Sequence, residues 1–544
     1  MSKRMGGLPG GVDVSRLRAL IIDEGELTRS VLSTMLRDLG VQHVHSARRP
    51  EGARRMIKDA VPPYDIIITD FHFSRQSAHD LTGQDLLDEL RQAKGLPMQT
   101  AFIMVTDEAR YHHVADALEG ALDDYLLKPF TARQFDERLQ VILERKHALR
   151  EVFAAIEASN FAAAAQLCED IFSASVTYRV YAARIGSELY LRLGQIDAAR
   201  RMFEALLSFK AVPWARLGLA KIDLANADTQ VACRTLETLL AENPAYVDAY
   251  DVYGRALLEE MDFSAAVEMF SKAVQITPGN VGRLQKLGSL QLFMGFSEAA
   301  AKHLGAALSI GYYSRALDYQ GVVALGIACI DLRDADECER ALKCVQEAVA
   351  RYPASSFRLQ MLQLTLEGAL ALILRRQEAA LLVLGKLGAQ LNNPEFSFEM
   401  ACNLLQLIAR CAGQQAVPEA RSWAERSAQR FAISRPRTCL LEMAASPLSS
   451  LEAVVHKAAA ATNEAARDAM AHLVSKQHQL TMDALLALAN KSLNARIINL
   501  ARATLAHHGQ HLAPLHAERL REQIEDLHGR FIEGGRRIVE RKDW

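Results

Sequence analysis

Tyr64-Asp65-Ile66-Ile67-Ile68-Thr69, ending in Asp70, decides the fold of the first part of this chain. A β-branched run this short fits a strand covered on both faces, as inside a parallel sheet, better than it fits a helix. Working outward, the same form recurs. Arg18-Ala19-Leu20-Ile21-Ile22 ends in Asp23-Glu24, Ala101 to Val105 ends in Thr106, and Asp124 to Leu127 ends in Lys128-Pro129. Helical stretches fall between them: Thr28 to Leu39, stopped by Gly40, then Gly83 to about Lys94, and about Arg110 to Leu118. Short strands alternating with helices predict an α/β doubly wound five-stranded parallel sheet.

In such sheets functional residues gather beyond the carboxyl ends of the strands. Taken singly, these residues are ordinary: an Asp after a strand is commonly a turn or cap residue, a Thr caps the next helix, and a Lys before Pro is a solvated charge. Taken together, two acids, a third acid, a hydroxyl and Lys-Pro would all face one pocket. Chance rarely places all of them at the correct ends.

After residue 131 the strand pattern stops and a repeat begins. Val247 to Asn280 is a 34-residue unit. Tyr250, Tyr253, Gly254 and Leu257 lie on one helix, Ala266, Phe270 and Ala273 on a second, and Pro278 closes it. The pattern returns at Leu284, Leu287 and Gly288 with Ala300, Leu304 and Ala307, and earlier at Ala232, Leu236, Leu239 and Pro244. Offset copies follow at Leu325, Cys329, Leu332, Ala341, Val345 and Ala348, and looser ones up to Ala424. Small residues let paired helices approach and large ones fill the gap to the next pair, so the array should be an all-α helical-repeat solenoid with a concave surface.

The repeat resembles the tetratricopeptide (TPR) repeat. The first part resembles the receiver domain, of flavodoxin-like fold, of bacterial two-component response regulators, on Asp23-Glu24, Asp70, Thr106, Tyr125 and Lys128-Pro129-Phe130. The resemblance implies a phosphorelay protein that accepts a phosphoryl group on Asp70 from a sensor histidine kinase or phosphotransfer protein. It implies a Mg²⁺ (or Mn²⁺) cofactor held by Asp23, Glu24, Asp70 and the backbone carbonyl of His72. Lys128 and Thr106 would contact the phosphate, Tyr125 would be the switch aromatic, and His72 and Glu108 would tune dephosphorylation. The chemistry agrees: an acyl phosphate needs an ionised, exposed carboxylate, and crowded carboxylates call for a hard divalent cation. Glu24 stands where an Asp is usual, the loop from Phe71 to Thr82 is longer than usual, and Asp107 replaces a small residue. Those departures keep open a phosphorylation-independent adaptor or a phosphate sink.

The expected organisation is a flexible N-terminus (1–15), a receiver domain (16–145), TPR-like repeats (146–434), and divergent repeats or a helical cap (435–544). Phe130 to Ser159 reads as nearly unbroken helix, a stiff junction. Ser449-Ser450-Leu451-Glu452 reads as a capping box opening a later helix. With 63 basic and 65 acidic side chains, the chain is near neutral and lacks a helix-turn-helix pattern, which disfavours nucleic acid as a partner. Two glycine pairs and a proline interrupt any signal-peptide core, and the longest apolar run, Gly368 to Leu374, is stopped by Arg375, so a cytoplasmic protein with no membrane partner is expected. Eight scattered cysteines read as buried thiols, and His507, His508, His511 and His516 as solvated histidines in preference to a metal site. No P-loop, HExxH or GxSxG motif follows residue 131, so the expected output is binding of a protein target in the repeat groove, with homodimerisation as a further option, and not a second enzyme.

Overall fold

The computed structural model describes residues 13–70, 73, 83, 86–87, 90, 96–106, 124–312, 316–351, 357–413 and 416–533. The chain divides into two compact units, Met1–Tyr253 and Gly254–Trp544.

The first unit opens with a five-stranded parallel sheet of order β2-β1-β3-β4-β5. Its strands are β1 (Arg18–Ile22), β2 (His43–Ala47), β3 (Ile66–Asp70), β4 (Ala101–Thr106) and β5 (Asp124–Leu127). Alternation along each strand divides the core. Ala19, Ile21, Ile66, Ile68, Ile103 and Val105 pack with Leu32 and Leu36 of α1 (Glu26–Asp38) and with Phe135, Leu139 and Ile142 of the junction helix (Ala132–Ala148). Leu20, Ile22, Ile67, Phe102 and Met104 point the other way, against Ala53 and Ile57 of α2 (Pro50–Lys58) and Leu86, Leu87 and Leu90. The expected helices Gly83–Lys94 and Arg110–Leu118 lie largely or wholly outside the described residues.

The sequence reading did not locate β2. Its residues, His-Val-His-Ser-Ala, form a sheet edge with only Ala47 buried, so no apolar run marks them. The junction helix starts on a capping box: Thr131 Oγ1 accepts from the Gln134 amide and Gln134 Oε1 accepts from the Thr131 amide. It is interrupted at Leu149 (φ −97°, ψ 9°) before Arg150–Glu157, so the expected continuous helix is two helices.

Helices then follow in successive pairs. In the first unit these include Phe161–Ala174 with Arg179–Arg192, Ile196–Phe209, Pro213–Ala225 and Thr229–Glu242. The small positions of the repeat are close contacts. A β-carbon on Gly218 would lie 2.4 Å from the Phe203 ring, and one on Gly254 would lie 2.6 Å from Phe270. The large partners are buried, with Phe203 and Phe270 each 4% exposed.

The second unit departs from an open solenoid. Helix Tyr319–Leu332 is buried at every position from Gly321 to Ile330, and helix Phe398–Ala412 from Met400 to Ala409. A helix that is apolar all round must be enclosed. These two helices touch directly, although three α-helices lie between them in sequence. Gln320 and Asn403 exchange side-chain hydrogen bonds at 2.9 and 3.2 Å, and Arg410 grips Asp331 through two bonds of 2.8 and 2.7 Å. Along this stretch the inner face is filled by the protein's own helices, where a concave surface was expected. Leu332, expected as a packing residue, is 38% exposed at the helix end.

Beyond residue 434 helices continue as Arg435–Ala445, Ser449–Val474, His478–Ser492, Ala495–His508 and Pro514–His528. Helix Ser449–Val474 has Leu448 as its N-cap and no side-chain cap, so the expected capping box is not formed. Six of the eight cysteines are buried and Cys233 and Cys439 are half-buried. Among the described residues, no helix is long and apolar enough to cross a membrane.

Candidate active site

Parallel register brings the strand ends level: Ile22 lies beside Thr69, Asp70 beside Val105 and Thr106 beside Leu127. The residues immediately beyond these ends therefore share one rim. Asp23 is buried, and its Oδ1 accepts from the Gly25 amide at 2.7 Å. Its Oδ2 lies 3.2 Å from Lys128 Nζ, and Asp70 Oδ2 lies 3.0 Å from the same ammonium. One cation thus joins acids from β1 and β3. Thr106 is buried, and its carbonyl accepts from the Lys128 amide at 2.7 Å, which fixes the base of that lysine. The Lys128-Pro129 peptide is cis.

The sequence reading missed three further participants. Gly83 faces the backbone of Asp70, and a β-carbon there would come within 2.4 Å of the Asp70 carbonyl oxygen. Arg29 donates through one guanidinium nitrogen to the carbonyls of Asp23 and Glu24, at 2.6 and 2.9 Å, pinning the turn that carries both acids. Arg49, the N-cap residue of α2, pairs with Glu24 Oε1 at 3.6 Å. No local motif announces these contacts, because they depend on which loops the sheet places side by side. Among the described residues, no group of three or more His, Cys, Asp or Glu side chains converges closely enough to hold a metal ion. Tyr125 lies on β5, but its side chain, together with His72, Asp107 and Glu108, lies outside the described residues.

Burial works against the charge on Lys128, but the hydrogen bond and field of Asp70, with those of Asp23, outweigh it and raise the lysine above its ordinary 10.5. A raised lysine pKa contributes stability that is fully present below about pH 10.5 and lost as pH rises through the folded value. In urea titrations, the stability gap between wild type and Lys128→Met is expected to be constant from neutral pH to about 10 and to shrink above it. A gap that widens with alkalinity would contradict the pairing.

The histidines fall elsewhere. His478, not singled out in the sequence, stacks on His511 and His508 with ring centroids 4.5 and 5.3 Å away, and His516 pairs with Asp483 at 3.2 Å.

The five-stranded order, the acids at the ends of β1 and β3 and the lysine joining them are the geometry against which known proteins are compared. The response regulator receiver domain profile matches residues 19–140. The chain is 30% identical to chemotaxis protein CheY-3 of Vibrio cholerae over 129 residues, 24% of this chain and 93% of that protein. It is also 30% identical to chemotaxis protein CheY of Pseudomonas aeruginosa over 132 residues, 24% of this chain and 98% of that protein. The chain belongs to the response regulator receiver family through this N-terminal part. Among solved structures, a receiver domain protein from Clostridium thermocellum matches 24% of this chain and 98% of its own at 22% identity, with a TM-score of 0.21. The C-terminal part of a TPR repeat-containing protein from Cytophaga hutchinsonii matches 44% of this chain and 93% of its own at 15% identity, with a TM-score of 0.34.

Proposed function

We propose that this protein is a response regulator that takes a phosphoryl group on Asp70 and converts it into a change in the protein contacts of its helical repeats. The observation that carries this reading is the Lys128 ammonium bridging Asp23 and Asp70 at 3.2 and 3.0 Å. Asp70 keeps an exposed edge, its side chain being 18% accessible, as a carboxylate that must meet a phosphodonor requires. Lys128 stands ready to neutralise an equatorial phosphate oxygen, and Thr106 supplies a hydroxyl at the end of the adjacent strand. Tyr125 is assigned the switch role and His72 and Glu108 the tuning of dephosphorylation, on the family's pattern. The phosphodonor would be a sensor histidine kinase or a phosphotransfer protein.

The donor set is made of hard oxygens, which suits Mg²⁺ or Mn²⁺. Asp23, Glu24, Asp70 and the His72 carbonyl would hold the ion, which supplies positive charge against the incoming phosphoryl group. The three carboxylates do not converge on one point in this structure, so the ion would have to draw Glu24 in from its 3.6 Å ion pair with Arg49. That ion pair is the specific observation favouring the second reading, an adaptor that works without phosphorylation.

Labelling by radioactive acetyl phosphate separates the two. We expect label that is acid-stable, alkali-labile and dependent on Mg²⁺, absent with EDTA and absent in Asp70→Asn. No label in wild type with saturating Mg²⁺ would pass the function to the adaptor reading.

A further inference from the structure

The turn that leads into β4 is held from two sides. On the sheet side, buried Thr100 donates its hydroxyl to the Tyr64 carbonyl at 2.7 Å, and the Ala101 amide donates to the Asp65 carbonyl at 2.8 Å. On the other side, the two helices that begin the helical half reach the same turn. Lys146 Nζ donates to the Met98 carbonyl at 2.7 Å, and the Met98 amide donates to Glu157 Oε1 at 2.6 Å. Gln99 Nε2 adds a longer bond, 3.4 Å, to the Arg150 carbonyl. Both backbone polar groups of Met98 are thus taken by side chains of opposite charge. The Met98 side chain packs against the cluster formed by Leu149, Val152, Phe153 and the first repeat helices.

Lys146 is only 7% exposed, and its ammonium lies 5.0 Å from the centre of the Phe153 ring. A lysine is rarely buried so deeply unless its charge is used, because desolvation costs several kcal/mol, on the order of what a good partner returns. Here the returns are a carbonyl acceptor and an aromatic face. The Lys146 contact is part-buried, whereas the Glu157 and Gln99 contacts lie at the surface.

Met98 stands just before the strand whose far end is Thr106. All six residues of β4 are buried between parallel neighbours, and the strand spans about 20 Å at about 3.3 Å per residue. We infer that the Pro97–Thr100 turn is a clamp through which the first helical repeat senses and restrains β4. The inference rests on the phosphoacceptor reading above and places its transmission at the end of the sheet remote from Asp70. A shift of Thr106 toward a new phosphate draws on a strand whose other end is fastened to Arg150–Glu157. The first repeat therefore either follows that shift or opposes it. Because such coupling is reciprocal, a partner that fixes one arrangement of the first repeat changes the phosphorylation equilibrium by the same factor.

Hydrogen exchange on the full-length protein tests this, with and without acetyl phosphate and Mg²⁺. In wild type, phosphorylation should change the exchange of amides in Arg150–Ala174. In Glu157→Ala, which removes the acceptor of the Met98 amide, and in Lys146→Met if it folds, the label on Asp70 should persist while that change falls at least threefold. Glu157 is exposed at a helix end, so its variant leaves the core intact. Wild type labelled normally but with the same exchange change in both proteins, or with none in either, overturns the clamp alone. Wild type that takes no label overturns the phosphoacceptor reading and the clamp's signalling role with it.

Discussion

Replacing Lys128 by methionine is expected to slow labelling of Asp70 by acetyl phosphate by about 10²–10³-fold, the usual cost of removing one preorganised charge from a site where charge develops. The geometry sets this expectation. Lys128 is the cation seen to touch both Asp23 and Asp70, and its amide is anchored on Thr106. Methionine preserves length and packing, so the loss would be electrostatic. Lys128→Arg should recover only part of the rate, because a planar guanidinium does not replace a compact ammonium at a point-charge site. Initial rates of label incorporation at saturating Mg²⁺ check both variants. A wild-type rate in Lys128→Met would remove the lysine from the chemistry.

The largest effect on stability is expected from Phe270→Ala, about 3–5 kcal/mol, as is usual for removing a buried aromatic ring. Phe270 is 4% exposed and fills the space that the missing β-carbon of Gly254 leaves open. The converse change, Gly254→Val, drives a side chain into that ring and should cost about 1–3 kcal/mol. In a repeat array stability is a sum of local and nearest-neighbour contributions, so the damage should spread from this pair outward. Urea unfolding followed by tryptophan fluorescence would show it, since Trp423 is buried in the same unit. Asp70 labelling should survive in Phe270→Ala under conditions where the second unit has begun to melt. Loss of both together would mean that the chain unfolds as one cooperative block.

Much of this was legible because it is local. β1, β3, β4 and β5 announce themselves as apolar runs, and the acids and lysine at their ends follow from period and position alone. The helix pairs are legible for a similar reason: a small residue opposite a large one leaves a fixed spacing in the sequence, as Gly254 and Phe270 do. What escaped depends on contacts between distant segments. β2 is an exposed polar edge recognised only by its partner strand. Arg49 reaches Glu24 because α2 begins beside the end of β1, and the contacts at Met98 join residues 48 and 59 positions apart. The filled inner face around Tyr319–Leu332 hung on the curvature of the array, which a repeat pattern does not encode. Ser449 illustrates the opposite error: the motif is present, but Leu448 takes the cap position.

The central claim is that the phosphoryl state of Asp70 governs what the helical repeats bind. It is tested most directly by immobilising full-length wild type and Asp70→Ala, each with and without beryllofluoride and Mg²⁺, and measuring the affinity of each retained protein. The prediction is at least one partner whose affinity changes with beryllofluoride on wild type and stays constant on Asp70→Ala. Equal affinities for every retained partner across all four conditions would contradict it.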